Sequence, residues 1–301
     1  MRRIARPRSE IPRGRRNRWS RRTAPALRWA AIALALAWTL FPFAWAAVLS
    51  VKPTSLEYRS VYLPFVQFRP TLAHWRWEWA QRREINGLEA GLLNSLAVGF
   101  AVAALSTAVG VLAAVGLDQM RARPRWRGGV LALLVLSRVV PPIVLVGPVF
   151  LLSRQVHLHD TLAALVLIHT GLALPLAVIV LDGAIRDVPR DLLDAARLEG
   201  ASGLRIAGQI VAPLLLPILV AIGTFSFAMS WVEFLFALTN HAAGAFTLTL
   251  SVAFLEERDG VQFEHVGSHL VLILLPPLIL AFLAQRAVTR GLSLGAARRD
   301  G

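Results

Sequence analysis

The 301-residue sequence contains no cysteine, which excludes disulfide bridges, thiolate metal sites, iron–sulfur clusters and cysteine nucleophiles. It contains one lysine, Lys52, so it lacks the G-x-x-x-x-G-K loop that cradles nucleotide phosphates, and we expect no ATP hydrolysis by this chain. Motifs for serine hydrolases, zinc proteases and EF-hands are missing as well. Charged residues make up only 17% of the chain, against roughly 25% in soluble domains. These scarcities argue against a soluble enzyme.

Long apolar runs dominate what remains, and 56% of the residues are hydrophobic. Six runs are long enough to cross roughly 30 Å of hydrocarbon as helices, near 29–51, 91–117, 129–153, 161–181, 214–239 and 267–285. The third contains Arg138 and the pair Pro141-Pro142, which predicts a kinked helix packed against protein. Period-2 alternation is lacking, which argues against a closed barrel. The predicted fold class is all-α, a polytopic membrane protein with six transmembrane helices.

Basic residues are distributed unevenly between the segments that connect these runs, within a net charge of +14. One set of segments holds 23 basic residues: 1–28, 118–128, 182–212 and the tail after 285. The alternate set holds 8: 52–90, 154–160 and 240–266. Because Lys and Arg resist translocation across a membrane, the first set is predicted to be cytoplasmic. Both termini are then cytoplasmic, with six crossings between them.

The arm before the first span is rich in arginine and allows three interpretations. Nucleic-acid binding would need an aromatic platform, and Trp19 is the arm's one aromatic residue. An export signal is suggested by Ser20-Arg21-Arg22 and by a cleavage-like Ala44-Trp45-Ala46, but five further spans argue against cleavage. We interpret residues 1–28 as a disordered cytoplasmic arm that lies against anionic lipid and binds no nucleic acid.

Several polar residues fall inside the predicted spans, where lipid contact would be costly. They are Asn94 and Ser95 in the second span, Arg138 in the third, His169 and Thr170 in the fourth, and Ser226, Ser230 and Glu233 in the fifth. The spacing of Ser226, Ser230 and Glu233 places them on one helix face, beside Trp231. We therefore predict that Asn94, Ser226, Ser230, Trp231 and Glu233 line or brace a translocation pathway. The alternative is that the serines bond their own helix and Glu233 lies at the outer interface.

One short outer loop carries residues of metal-ligating type. His157, His159 and Asp160 would ligate a metal if the segment were an extended strand. Such residues in a short surface turn are more often solvated, so no metal site is predicted.

The segment 182–213, DGAIRDVPRDLLDAARLEGASGLRIAGQIVAP, is the longest predicted cytoplasmic loop between spans. Pro189 and Asp191 predict a helix start, Gly200 a left-handed helix end, and Ser202 the cap of a second helix. Small residues at 195, 196, 200 and 201 leave a flat surface. A helix–glycine–helix of this kind in the cytoplasm has no lipid to face, which indicates a docking element for another protein.

This loop resembles the coupling motif E-A-A-x(3)-G-x(9)-I-x-L-P of permease subunits in binding-protein-dependent ATP-binding cassette (ABC) importers. The matching positions are Asp194, Ala195, Ala196, Gly200, Ile210 and Pro213. Asp194 replaces the leading Glu, Ala212 replaces the Leu before the proline, and Glu199 stands where the family often has Asp. The resemblance implies that these residues, together with Ala201, contact an ATPase subunit.

Further stretches are similar to the carbohydrate-type permeases, in particular the second permease subunit of maltose-like systems. They are LNSLAV at 93–98, RVVPPIVLVGPVFLL at 138–152, WVEFLFAL at 231–238 and RGLSLGA at 290–296. That subfamily usually has W-N-E-F where this chain has Val232 after Trp231, so a polar side chain near the expected pathway is replaced by an apolar one.

The resemblance implies a type I ABC importer permease fold in the cell membrane of a prokaryote, without a catalytic role. Its expected partners are a second permease subunit, two ATPase subunits and an external solute-binding protein, and ATP and Mg²⁺ bind to the ATPase. The expected organisation is an arm over 1–28, a permease domain over 29–290 and a cytoplasmic tail over 291–301.

The cargo and the outer tryptophans each allow more than one interpretation. A non-sugar solute such as a polyamine, a phosphate ester or a metal is the alternative cargo, while a membrane-embedded enzyme or a channel fits the sequence less well. Trp75, Trp77 and Trp79 in the outer 52–90 loop fit either a docking surface for the binding protein or interfacial anchoring.

Overall fold

The computed structural model describes residues 18–56, 59–80, 88–241, 244–254, 256–257, 260–261 and 263–297. The chain divides into two compact units, Met1–Trp45 and Ala46–Gly301. Helix α1 (Arg18–Ser50) occupies the described part of the first unit and enters the second. It begins inside the arm that was predicted to be disordered, so that prediction is wrong from Arg18 onward, and residues 1–17 lie outside the described part.

The second unit is built almost entirely from helices. They are α2 (Ala73–Ala80), α3 (Leu88–Gln119), α4 (Pro124–Val139), α5 (Pro142–Gln155), α6 (Leu162–Ala184), α7 (Arg190–Leu198), α8 (Gly203–Ile206), α9 (Ala212–Leu214), α10 (Leu216–Trp231), α11 (Leu235–Asn240), α12 (Leu248–Ser251) and α13 (Phe263–Ala297). A π-helical turn, Ala207–Val211, joins α8 to α9, and 3₁₀ turns cover Thr54–Leu56, Met120–Ala122, Ile185–Asp187 and Val252–Phe254. Two-residue strands β1 (Glu256–Glu257) and β2 (Gly260–Val261) pair antiparallel.

Among the described residues, four helical segments are long and apolar enough to cross a membrane: Leu27–Ser50, Leu88–Ala122, Leu162–Asp187 and Val266–Arg286. Two bent pairs bring the number to six if each pair is one span. In one of them, α4 and α5 meet at 98°. The predicted kink at Pro141-Pro142 is confirmed, because Pro141 is extended and α5 starts at Pro142. The all-α prediction holds, although α13 continues to Ala297, beyond the boundary predicted at 290.

The fifth span differs from its prediction as one helix over 214–239. The segment Gly203–Leu214 meets α10 at 93°, and α10 ends at Trp231. With 16 residues, α10 is about 24 Å long, which is shorter than the roughly 30 Å of a hydrocarbon core. The chain then leaves helical geometry and restarts as α11. Glu233 therefore lies outside the helix that carries Ser226 and Ser230, and the prediction of one shared helix face is wrong for it.

Helix α3 is the centre of the second unit, and it packs along α6 and α10. Gly99 faces α10 so closely that a β-carbon there would lie 2.7 Å from the ring of Phe227. Close approach through small residues is typical of membrane helices, where packing replaces the hydrophobic drive of water. This contact fixes the C-terminal half of α10 against α3.

Candidate functional site

The loop 182–213, which was predicted to dock another protein and is called the docking loop below, is organised around the short helix α7. Pro189 precedes it in an extended conformation, and Gly200 follows it with φ +80°, as the sequence predicted. The Gly200 amide donates to the Arg197 carbonyl at 3.0 Å, and the Ala201 amide donates to the Ala196 carbonyl at 2.9 Å. This pair of hydrogen bonds is a Schellman motif, which ends a helix through a left-handed residue. Helix α7 therefore has a sharply defined end.

The two faces of α7 have different surroundings. Leu193 and Ala196 are buried in an apolar cluster with residues of α3, α6 and the α8–α10 region. Asp194, Ala195 and Glu199 point outward, and so does Leu198, which is 90% exposed. The prediction that Ala196 belongs to the flat docking surface is wrong, because its side chain packs inward between the loop and the spans. The outer face, with an apolar leucine among charged residues, is the part available to a partner.

The second half of the loop, from Ser202 onward, leads through α8 and α9 into α10. The hydroxyl oxygen of Ser202 accepts from the Arg205 amide at 3.3 Å, so the predicted cap of α8 is confirmed. Ala201 and Ile210 are half-buried against the same apolar cluster as Leu193. Pro213 is exposed at the start of the bend into α10. Several motif positions therefore attach the loop to the spans.

Arg197 makes two ion pairs that the sequence did not reveal. One of its terminal nitrogens donates to Asp118 Oδ2 of α3 at 2.9 Å, and the other donates to Asp194 Oδ1 at 2.7 Å. The hydrogen bond to Asp118 raises the pKa of Arg197 above its ordinary value, a shift that partial burial opposes and Asp194 reinforces. Arg121 also binds Asp118, at 2.5 Å. The guanidinium of Arg197 is therefore always charged and fixed between two carboxylates.

A second carboxylate, that of Asp182, anchors the other side of the loop. Its side chain is buried in the last turn of α6, and it accepts hydrogen bonds from Arg127 and Arg186. The Arg127 nitrogen lies 2.6 Å and 2.7 Å from the two carboxylate oxygens, and Arg186 lies 2.7 Å from one of them. Burying a carboxylate is costly unless it is paired, so the contacts with Arg127 and Arg186 offset the desolvation of Asp182. They tie the start of α4 to the end of α6.

Glu233 stabilises the break between α10 and α11 by capping the start of α11. Its carboxylate accepts from the backbone amides of Leu235, Phe236 and Ala237 at 2.9–3.3 Å, which satisfies the free donors at the start of α11. His169 of α6 lies between Glu233, 3.3 Å away, and the Ser230 hydroxyl, 2.8 Å away. Irregular backbone within a membrane protein is tolerated where protein satisfies its polar groups. Because these contacts lie within the chain, the geometry favours the prediction that Glu233 and Ser230 brace the helices around a pathway over the prediction that they line it.

The other predicted pathway residues also make contacts within the chain. The Asn94 amide donates to the Phe246 carbonyl at 2.9 Å, and the Trp231 indole donates to the Ile273 carbonyl at 2.8 Å. Ser226 is buried beside an apolar cavity of about 400 Å³ between α6 and the α9–α10 region. Asn94 thus connects α3 to the segment before α12, and Trp231 connects α10 to α13. Whether solute passes these residues stays a prediction.

The segment of His157, His159 and Asp160, which was predicted to be an outer loop, is a turn in which His157 and Asp160 have positive φ. The Asp160 carboxylate accepts from the backbone amides of Gly244 and Ala245 at 2.9 Å. Within the described ranges, no group of three or more His, Asp or Glu residues is arranged to hold a metal ion. In this structure Asp160 connects its own turn to the segment at Gly244 and Ala245.

A family model described as "Binding-protein-dependent transport system inner membrane component" matches residues 106–294, which include the docking loop and the spans around it. The chain belongs to this family. It is therefore an inner-membrane transport subunit, and the family's name implies an external binding protein among the partners of its members. The predicted resemblance to ABC importer permeases is confirmed.

Two relatives and one solved structure extend the similarity over most of the chain. The trehalose transport system permease SugB of Mycobacterium tuberculosis is 28% identical over 90% of this chain and 97% of its own. The sulfoquinovosyl glycerol transport system permease SmoH of Agrobacterium fabrum is 28% identical over 89% of this chain and 92% of its own. A chain of a bacterial ABC transporter that imports the acidic polysaccharide alginate has a TM-score of 0.68 at 18% identity, covering 90% of this chain and 98% of that one. The permease thus has the type I importer fold.

Proposed function

We propose that this permease forms one half of the translocation pathway of an ABC importer for a sugar or sugar-like solute, and that it docks a separate ATPase through the loop 182–213. The observation that carries the docking proposal is the two-sided helix α7. Its inner face is packed onto three spans through Leu193 and Ala196, and its outer face, with Leu198 exposed, is unoccupied by the chain itself. A helix held in this way moves as a rigid body with the spans.

The sugar proposal is supported by relatives named for trehalose and for sulfoquinovosyl glycerol transport. The assembly we propose pairs this chain with a second permease subunit and two ATPase subunits, which bind the ATP and Mg²⁺. An external solute-binding protein delivers the cargo. Trp77 and Trp79 of α2 are exposed and offer that protein aromatic surface, which interfacial lipid would equally use.

We further propose that both termini and the loop 182–213 face the cytoplasm of a prokaryotic cell, on the 23 against 8 distribution of basic residues. Because the chain has no cysteine, single-cysteine variants report accessibility without background. Cysteine at 198 is expected to be protected from impermeant reagents in intact cells and labelled after lysis, whereas cysteine at 79 is expected to be labelled in both. Labelling of position 198 in intact cells would overturn this topology.

Uptake by the reconstituted transporter tests the cargo. Proteoliposomes that contain the permease pair and the ATPase are given each candidate solute with its binding protein: a disaccharide, an anionic sugar, a polyamine and a phosphate ester. ATP-dependent uptake of a sugar supports the proposal. Uptake of the polyamine or the phosphate ester, with no sugar transported, would replace it with the non-sugar alternative.

A further inference from the structure

The two ion pairs of Arg197 join an exposed acid to a buried one. Asp194, on α7, has a side chain that is 62% exposed, and it lies on the face proposed to meet the ATPase. Asp118 lies in the last turn of α3, and its side chain is only 6% exposed. The guanidinium of Arg197 contacts both, at 2.7 Å and 2.9 Å. One planar group therefore connects the docking surface to the central span of the fold.

The geometry of the guanidinium makes this connection stiff. Its nitrogens form a rigid planar fork, so an arginine held by one carboxylate presents its remaining donors in a fixed direction. Asp118 holds Arg197 from the spans, and Arg197 in turn holds Asp194, three residues before it on α7. A lysine would keep the charge but not the planar fork.

The fold of α7 does not depend on these ion pairs alone. Leu193 and Ala196 anchor the helix in the apolar cluster, and the Schellman motif at Gly200 ends it. If Arg197 were replaced, Asp118 would keep its ion pair with Arg121, so no buried carboxylate would be left unpaired. The costly case, in which a buried charge is left without a partner, is therefore avoided. The contribution of Arg197 concerns the position of α7 relative to α3.

Force applied to α7 can reach the spans by three routes. The first runs along the chain, through the turn Ile185–Asp187 before α7 and the positive-φ Gly200 after it. The second is the apolar packing of Leu193 and Ala196. The third runs directly from α7 through Arg197 and Asp118 into α3, which packs along both α6 and α10. The direct route joins the docking helix to the centre of the fold.

We propose that Arg197 is a positioning residue for coupling: it fixes Asp194 toward the ATPase and locks α7 to α3 through Asp118, so that α7 and α3 move together. This inference rests on the proposed docking of an ATPase on the loop 182–213. It adds a specific residue pair, Arg197 and Asp118, through which movement of the docking helix is passed to the spans.

The test is a double-mutant cycle in the complete transporter, reconstituted with ATPase and binding protein. The variants are Arg197→Gln, Asp118→Asn, the double variant and Arg197→Lys. The matched control is Arg205→Gln, the same substitution at an exposed position on the same loop. Three quantities are measured: ATPase co-purified per permease, ATP hydrolysis without solute, and the ratio of solute imported to ATP hydrolysed.

We expect each single variant to retain the ATPase and to lower the import ratio about fivefold or more, the scale of a typical coupling between sites. The double variant is expected to be no worse than the more affected single variant, because both act through one contact. Arg197→Lys should stay near Arg197→Gln, and Arg205→Gln near the unmodified protein.

Distinct outcomes separate the two proposals. If the unmodified permease does not retain the ATPase, docking on the loop fails and the coupling proposal fails with it. If the ATPase is retained but Arg197→Gln and Asp118→Asn import with the normal ratio, only the coupling proposal fails. Single effects that multiply in the double variant would show that the contact between Arg197 and Asp118 is not the cause, and full activity of Arg197→Lys would overturn the requirement for a planar fork.

Discussion

Replacing Gly200 perturbs the end of the docking helix through its backbone alone. Gly200 has φ +80°, and a β-carbon placed there would have no atom within 4 Å, so no steric clash inside the chain adds to the effect. A residue with a β-carbon costs about 1–2 kcal/mol in this left-handed region. For alanine, this cost is partly offset because the unfolded chain has less conformational entropy than with glycine, an effect that stabilises the folded state by about 0.4–1 kcal/mol. Asparagine tolerates the region better than other non-glycine residues.

The expected order of effect is therefore Gly200→Asn, then Gly200→Ala, then Gly200→Val, with the valine variant costing about 1–3 kcal/mol locally. If the helix end opens, the two hydrogen bonds of the Schellman motif are lost and the outer face of α7 no longer has one orientation. A cost of about 1–2 kcal/mol corresponds to roughly 5–30-fold weaker ATPase binding. The spans are expected to insert normally, because Gly200 lies outside them.

The assay is titration of the ATPase onto the permease in nanodiscs, with expression and insertion as controls. Gly208 provides the matched position, since it is also open within 4 Å but has no positive φ, so Gly208→Ala should bind the ATPase normally. Equal ATPase affinities of the unmodified permease and Gly200→Val would refute the argument. A loss of ATPase affinity in Gly208→Ala as large as that in Gly200→Val would also refute it.

Three other changes test the remaining parts of the fold. Glu233→Ala should lower solute uptake while ATPase recruitment stays normal, because the carboxylate caps α11 and contacts His169; unchanged uptake and solute preference would favour a simple interface anchor instead. Asp182→Ala should destabilise the permease by about 1.5–3 kcal/mol, because the charge-assisted hydrogen bonds from Arg127 and Arg186 lose their acceptor, and a melting temperature within error of the unmodified protein would contradict this. Gly99→Ala should cost about 1–3 kcal/mol by overpacking against Phe227, and a thermal melt that is unshifted would show that the ring moves freely.

Local signals made much of the docking loop predictable. Gly200 after a run of helix formers predicts a left-handed helix end, and Ser202 predicts a cap, because each acts within its own turn. The spans follow from apolar length and the bend at Pro141-Pro142 from the missing backbone donor. The inward direction of Ala196 was also accessible, since Leu193 lies three residues before it on the same face.

The ion pair between Arg197 and Asp118 and the helix break after Trp231 were beyond the reach of the sequence. Asp118 and Arg197 are far apart along the chain and meet only because α7 packs beside the end of α3. The break after Trp231 has no proline to mark it, and it depends on amides that Glu233 satisfies within the folded chain. Such long-range contacts are set by tertiary packing, which local patterns do not encode.

The central claim, that the outer face of α7 meets an ATPase, is tested most directly by crosslinking from that face. A photoreactive probe on a single cysteine at Leu198, which is 90% exposed, is expected to crosslink to the ATPase in the assembled transporter, with a yield that changes on nucleotide binding. The same probe at Trp79, exposed on α2 in the predicted outer loop, should give no ATPase adduct. Absence of an ATPase adduct from position 198 in an active transporter, or an equal yield from position 79, would contradict the account.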